Sequence, residues 1–162
     1  MFVDFVLRSL PAPRRILDMC AAPGGKTTLY ASPAGRDRLV VANEVIRSRA
    51  GLLADHVRKR GTGTVVAPNS DPARFAALEG FFDIVAVDSP CSGEGMFRKD
   101  PEAVNQWSPE AVETCAARQR RILSESWKAL APGGHLIYCT CTFNRTENEE
   151  NIEWLAADTG CE

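Results

Sequence analysis

Two cysteines sit in contexts suited to thiol chemistry: Cys91 in Asp88-Ser89-Pro90-Cys91-Ser92-Gly93, and Cys141 in Tyr138-Cys139-Thr140-Cys141-Thr142. Each segment ends an apolar run that reads as a strand, and in open parallel sheets ligands bind outside the carboxyl ends of the strands. Both sulfurs are therefore expected at one rim, beside the carboxylate of Asp88. A lone buried cysteine is usually an inert small hydrophobe. Two thiols and a carboxylate converging on one edge instead suit nucleophilic, covalent catalysis.

The same rim carries a second feature. Cys20-Ala21-Ala22-Pro23-Gly24-Gly25-Lys26-Thr27 follows the first apolar run and opens a helix, and its small residues let the backbone approach a ligand closely. Gly-Lys-Thr invites a phosphate-loop reading, but that motif needs a glycine five positions before Gly25, where Cys20 stands. The dinucleotide pattern fails too, because Lys26 follows the glycine pair. Glu44 ends the second apolar run, where a carboxylate can accept hydrogen bonds from two ribose hydroxyls; a charge favoured at a helix N-terminus is the alternative. Asp71, in Asn69-Ser70-Asp71-Pro72, lies where a carboxylate could meet an adenine ring, although spacing alone favours a helix N-cap before Pro72.

The elements that position these residues alternate short apolar runs with helical segments, the signature of an α/β fold with a mostly parallel, doubly wound sheet. Strands are expected over 15–19, 39–43, 64–67, 83–88 and 135–141. Ile46, Ala50, Leu53 and Val57 recur at helical spacing before Gly61, which marks a crossover helix. A long loop from Ser89 to Trp107 follows the fourth run and is a candidate functional loop. Ser108 and Pro109 then open a helix with a stripe of Val112, Cys115, Gln119, Ile122, Leu123, Trp127 and Leu130, closed by Pro132-Gly133-Gly134. Thr146-x-x-Glu149 matches a capping box for a last helix that ends at Gly160. The count stops at the fifth strand, so a single domain over 1–162, truncated after that strand, is expected.

A chain of 162 residues with 44% apolar content can bury one core. Its apolar runs fall short of the roughly 20 residues of a membrane span, and six cysteines without a secretory leader read as reduced thiols in a cytoplasmic protein. No C-x-x-C pair supports zinc. The net charge of −2 is not that of a self-sufficient nucleic-acid binder. Arg14-Arg15, Arg58-Lys59-Arg60 and Arg118 with Arg120-Arg121 read as solvated surface. Only Arg98-Lys99 is expected near the chemistry. His56 and His135 are expected to be structural.

The segments LDMCAAPGGKT, ANE, NSDP, VDSPCSGEGMFRKDP and YCTCTFNRTENEEN, in this order over nearly the whole chain, resemble the NOL/NOP/Sun family of RNA cytosine-C5 methyltransferases. The resemblance implies a Rossmann-like class I S-adenosylmethionine-dependent methyltransferase fold. It implies that Cys20, Ala21, Ala22, Pro23, Gly24, Gly25 and Lys26 bind S-adenosyl-L-methionine together with Glu44 and Asp71, with Asp88 at the junction of cofactor and target base. It implies Cys141 as the nucleophile and Cys91 as the cysteine that helps release product. Ser89 stands where the family usually has Ala, and Cys139 where it usually has Ser. The stretch GEGMFRKDPEA with Trp107-Ser108 is more similar to the bacterial ribosomal-RNA branch, which points to 16S rRNA as the partner, with transfer RNA as the alternative.

The chemistry accounts for this equipment. Cytosine C5 is too weak a nucleophile to take a methyl group unaided, and a thiolate adding to C6 makes the ring an enamine. A carboxylate such as Asp88 at N3 and the amino group stabilises the developing charge. The C5 proton must then leave, and Cys91 can take it. Free cysteine titrates near about 8.5, so the nucleophile needs activation; Lys26 could supply a positive field or simply order its turn. Met96, Phe97 and Arg98 could stack on or clamp an extruded base. Two rival readings remain open: a binding-only module without turnover, and a DNA-type mechanism in which Cys91 is the nucleophile. The segment before strand one and the accessory RNA-binding domains usual in the family are expected to be missing, and with them tight RNA binding.

Overall fold

A computed structural model describes residues 2–31, 38–61 and 63–161. The apolar runs pair as one parallel sheet of five strands, β1 (Arg15–Asp18), β2 (Leu39–Ala42), β3 (Val65–Val66), β4 (Phe82–Asp88) and β5 (Leu130–Cys139), in the order β3-β2-β1-β4-β5. The winding reverses between β1 and β4. The loops after these two strands therefore part and leave a crevice at the carboxyl rim.

Strand periodicity sorts the core into two layers. Ile16, Val40, Ile84 and Ala86 face one side, where they pack with Val3 and Leu7 of α1 (Phe2–Ser9) and Tyr30 of α2 (Gly25–Tyr30). On the same side, Leu53 of α3 (Arg47–Arg60) meets Ala42. Leu17, Val85 and Val87 face the other side, against Phe75 of the 3₁₀ segment Pro72–Leu78 and against Ile122, Leu123 and Leu155. Those last three belong to α5 (Pro109–Lys128) and α6 (Glu149–Thr159), while the short α4 (Glu102–Gln106) lies within the long loop. Both faces are covered, as expected of a doubly wound sheet.

Ser108 caps α5 through the amide of Ala111, Pro109 takes its first position, and Gly61 and Gly160 close α3 and α6 in the left-handed conformation. Four expectations need correction. Helix α1 precedes β1, with Val3 and Leu7 one helical turn apart as its buried edge. Leu130 belongs to β5 and not to the α5 stripe, since the helix stops at Lys128. Helix α6 begins after Asn148, which makes no side-chain cap, so Thr146 and Glu149 form no capping box. There, Asn144 Oδ1 accepts from the Glu147 amide, and Asn148 Nδ2 donates to the Asn144 carbonyl, folding 145–148 as a turn.

Pro132-Gly133-Gly134 is a bulge inside β5 and not a connection ahead of it. Phe82 pairs with Leu130 and Ile84 with His135, so two steps on β4 oppose five on β5. The extra residues fold outward because Gly133 takes φ +73° and Gly134 lies against the neighbouring backbone. A Cβ on Gly134 would stand 2.8 Å from the Ala131 carbonyl oxygen and 2.9 Å from that of Asp83. Gly134→Ala is therefore expected to lower the unfolding free energy by about 1–3 kcal/mol in denaturant titrations. Gly51→Ala, in α3 with open space around the added carbon, should be neutral or stabilising by about 0.5–1 kcal/mol.

Candidate active site

The crevice after β1 and β4 is a cavity of about 620 Å³ whose wall runs from Glu44 and Asp71 past Cys20 and Asp88 to Cys91 and Cys141. A smaller recess of about 290 Å³, lined by Asp18, Cys20–Pro23, Gly25, Lys26 and Asp88, adjoins it through shared residues. The tertiary structure thus brings the small-residue turn, the three carboxylates and both cysteines to one rim.

The turn enters α2 through Gly24 at φ +106°, and a Cβ there would lie 3.1 Å from Leu53 Cδ1 and 3.4 Å from His56 Cγ. Glycine is thus required both for the backbone angle and for close packing on α3. Arg49 donates to the Ala22 carbonyl at 2.8 Å and lies 3.6 Å from Glu44 Oε2. Glu44 is almost fully buried, and its Oε1 accepts from the Ile46 amide at the start of α3, while Oε2 is buried with no hydrogen-bond donor among the described residues. An unsatisfied buried acceptor costs about 1–3 kcal/mol, and a ribose diol in the cavity would supply the missing donor. The residues present therefore fit an S-adenosylmethionine nucleoside. The buried Ser89 hydroxyl, also in the cavity wall, likewise has no partner.

Asp71 caps the 3₁₀ segment by accepting from the Ala73 amide, and both its oxygens lie 2.8 Å from Nη2 of Arg121. The amide bond and the guanidinium hold its carboxyl below the usual range. Arg118 and Arg121 line the cavity. The expectation that these arginines are only solvated surface is corrected: the face of α5 that carries them forms one wall of the crevice. Lys26 donates to Asp88 Oδ2 at 2.6 Å, tying the turn after β1 to the end of β4. Its charge is directed at a carboxylate rather than at a sulfur.

Cys91 and Cys141 meet, with their Sγ atoms 2.9 Å apart, and the Cys141 amide donates to Cys91 Sγ at 3.2 Å. Burial, and then the hydrogen bond with Cys141, pushes the Cys91 thiol up to about 12, so Cys91 keeps its proton at neutral pH. Cys141 is exposed at the cavity mouth. Cys139 packs against the α1/α2 layer instead, and Cys20 is pushed up to about 12 by burial and by Glu44.

The loops bearing the cysteine pair are joined by a fully buried carboxylate. Glu147 accepts from the Ser92 amide at 2.9 Å, from Gln119 Nε2 at 2.7 Å and from Asn144 Nδ2 at 2.9 Å. Gln119 also donates to the Pro90 carbonyl and accepts from Asn151, and Tyr138 donates to the Glu147 carbonyl. Pro90 and Ser92 flank one cysteine and Asn144 follows the other, so one anion sets the spacing of both.

Residues 7–159 match the family model described as 16S rRNA methyltransferase RsmB/F. The chain belongs to that family. Ribosomal RNA small subunit methyltransferase F of Salmonella heidelberg is 46% identical over 144 residues, covering 88% of the chain, and that of Escherichia coli O7:K1 is 44% identical over 145 residues, covering 89%. In both cases the chain spans only 30% of the relative's length. Among solved structures, NSun6 from Pyrococcus horikoshii with SFG superposes with a TM-score of 0.80 at 28% identity, covering 96% of this chain and 39% of that one. A SAM-dependent methyltransferase from Aquifex aeolicus shares the fold at 14% identity and a TM-score of 0.66, over 98% of this chain and 79% of that one.

Two buried groups of this RsmB/F-family site escape a reading of the sequence. Glu147 looks like one of several acids in a polar run, and only its turn buries it. Asp18 ends β1, and its Oδ2 accepts from Thr27 at 2.7 Å; its place at a strand end, like that of Glu44, was the available signal. Every group named as a donor to the Glu147 carboxylate is an N–H, so Glu147→Gln sets an amide donor against them and is expected to destabilise the fold by about 3 kcal/mol in denaturant titrations.

Burial, opposed by the Thr27 hydrogen bond, raises Asp18 from 3.8 to about 7. The folded state therefore binds more protons than the unfolded chain between those pH values, and this contribution to stability falls as pH rises through the window. Comparing unfolding free energies of the wild type and Asp18→Asn across pH 4–7 should show that downward slope only in the wild type.

Proposed function

We propose that this chain is the catalytic core of an S-adenosylmethionine-dependent RNA cytosine-C5 methyltransferase of the cytoplasm, acting on 16S rRNA with Cys141 as nucleophile. The observation that carries the reading is the Cys91–Cys141 sulfur pair, 2.9 Å apart at the mouth of the cavity that also holds Asp88 and the unsatisfied oxygen of Glu44. The residues suited to hold the cofactor are the Cys20–Lys26 turn, Glu44 and Asp71. When bound, S-adenosylmethionine supplies an electrophilic methyl group to C5.

The protein's own groups prepare the base. Cys141, exposed and in hydrogen-bond contact with Cys91, adds through sulfur to C6; its proton passes to N3 of the cytosine, and the C5–C6 electron pair moves to C5. Lys26 engages Asp88 Oδ2, which leaves Oδ1 for the N3 and amino edge of the cytosine, where it stabilises a proton at N3. Bonding Cys141 to carbon removes one cause that holds the Cys91 thiol up, while burial, the largest, remains. Cys91 therefore relays the C5 proton, giving its own to solvent as it takes that one, and no free Cys91 thiolate is required. Loss of that proton returns the electron pair to C5–C6 and expels Cys141 as thiolate, which takes up the N3 proton.

The test is incubation of the chain with methyl-labelled cofactor and 16S rRNA, with transfer RNA alongside. Cys141→Ala should abolish transfer, whereas Cys91→Ala should accumulate a protein–RNA adduct that survives denaturing electrophoresis. An adduct that appears only with Cys141→Ala would make Cys91 the nucleophile, and label confined to transfer RNA would overturn the substrate. Cofactor binding with no label in either RNA would support a binding-only module.

A further inference from the structure

Beside the sulfur pair lies an apolar rim that the chemistry above leaves unused. Phe143, two residues after Cys141, is 81% exposed, and Met96 and Trp107 are exposed at 39% and 36%. One carboxylate orders the rim: Glu94 Oε2 accepts from the Phe143 amide at 2.8 Å, and its Oε1 accepts from Trp107 Nε1 at 3.2 Å and from Asn144 Nδ2 at 3.1 Å. The same turn is pressed against the nucleophile's backbone. The Gly95 amide donates to the Cys141 carbonyl at 2.7 Å, and a Cβ on Gly95 would stand 2.5 Å from that oxygen and 3.8 Å from the Phe143 ring edge. The Phe143 ring edge and the Cys141 carbonyl thus meet at the same Gly95 turn, on a backbone held at both ends. Phe97, in contrast, is half-buried.

We propose that Phe143, supported by the Glu94–Trp107 clamp, is the stacking site for the nucleotide next to the target cytosine in a single-stranded RNA. This identification of the strand rests on the methyltransferase reading. A base that reaches a sulfur at the cavity mouth must leave its stack, which strips its neighbour of a stacking partner, and the exposed Phe143 ring, two residues along the chain from that sulfur, can replace it. The exposed Arg98 and Lys99 lie one turn after Met96 and are placed to meet the backbone phosphates, with Asp100 turned instead to the amide of Glu102 at the start of α4. A protein partner would have no comparable reason to sit over the nucleophile.

The experiment measures anisotropy of fluorescein-labelled single-stranded RNAs that carry one cytosine in a uridine background, bound to the full chain without cofactor. Phe143→Ala should weaken binding about tenfold and Phe143→Trp should restore it. Replacing one flanking nucleotide by an abasic ribose should bring the wild type down to the level of Phe143→Ala, with little further loss when the two changes are combined. A Phe143→Ala affinity within twofold of wild type, full additivity with the abasic site at both flanks, or no saturable binding by the wild type would each overturn the proposal. Adduct formation by Cys91→Ala, measured separately, distinguishes the two ideas. Absence of the adduct with the Phe143 coupling intact sinks the methyltransferase reading alone, and an adduct without the coupling sinks the stacking site alone.

Discussion

The burial of one carboxylate governs the reactive end of this protein. Glu147 has no access to solvent, and its charge is matched by N–H groups from the loop after β4, from α5 and from the loop after β5. A buried anion tolerates little displacement of its donors, because each lost hydrogen bond leaves a charge poorly solvated in a low-dielectric interior. The two loops are therefore locked in a common register, and the sulfurs they carry meet across 2.9 Å. The parallel sheet supplies the coarse alignment: Ser89 N donates to the Cys139 carbonyl at 2.8 Å, extending the β4–β5 ladder to the edge of the site. The Glu147 network supplies the fine alignment beyond the point where the ladder stops.

The cofactor end follows a different logic. There, polar groups are left incomplete, with a Glu44 oxygen and the Ser89 hydroxyl buried and unpartnered. Side chains at the cysteine end satisfy one another and make a rigid frame, whereas those at the nucleoside end hold unfilled valences that a ligand can complete. The Lys26–Asp88 ion pair joins the halves, since its lysine belongs to the turn after β1 and its aspartate to the end of β4. This pair has about a third of each side chain exposed, so it acts more through geometry than through stabilisation.

Much of this was legible in the sequence because it depends on local rules. Alternating burial in Leu17, Val85 and Val87 on one face and Ile16, Ile84 and Ala86 on the other follows from the two-residue period of a strand. Ser108-Pro109 and the closing glycines marked helix ends through their own backbone preferences. The misreadings occur where non-local contacts outweigh such preferences. Thr146 and Glu149 have capping-box spacing, yet Asn144 and Asn148 draw that segment into a turn that delivers Glu147 to the interior. Pro132-Gly133-Gly134 has the composition of a connection, yet β4 pairs with residues on both sides of it.

The sequence by itself determined the fold class and the family, because periodicity and motif order are one-dimensional properties. Tertiary structure decided which charge faces which group: Lys26 turned to Asp88, Arg121 turned to Asp71, and Gln119 turned from an apolar stripe into a polar network. It also decided which ring near Cys141 in the chain stands exposed, Phe143 rather than Phe97. The physical reason is that burial and hydrogen-bond pairing are set by residues tens of positions apart, and no local pattern in the chain records those distances.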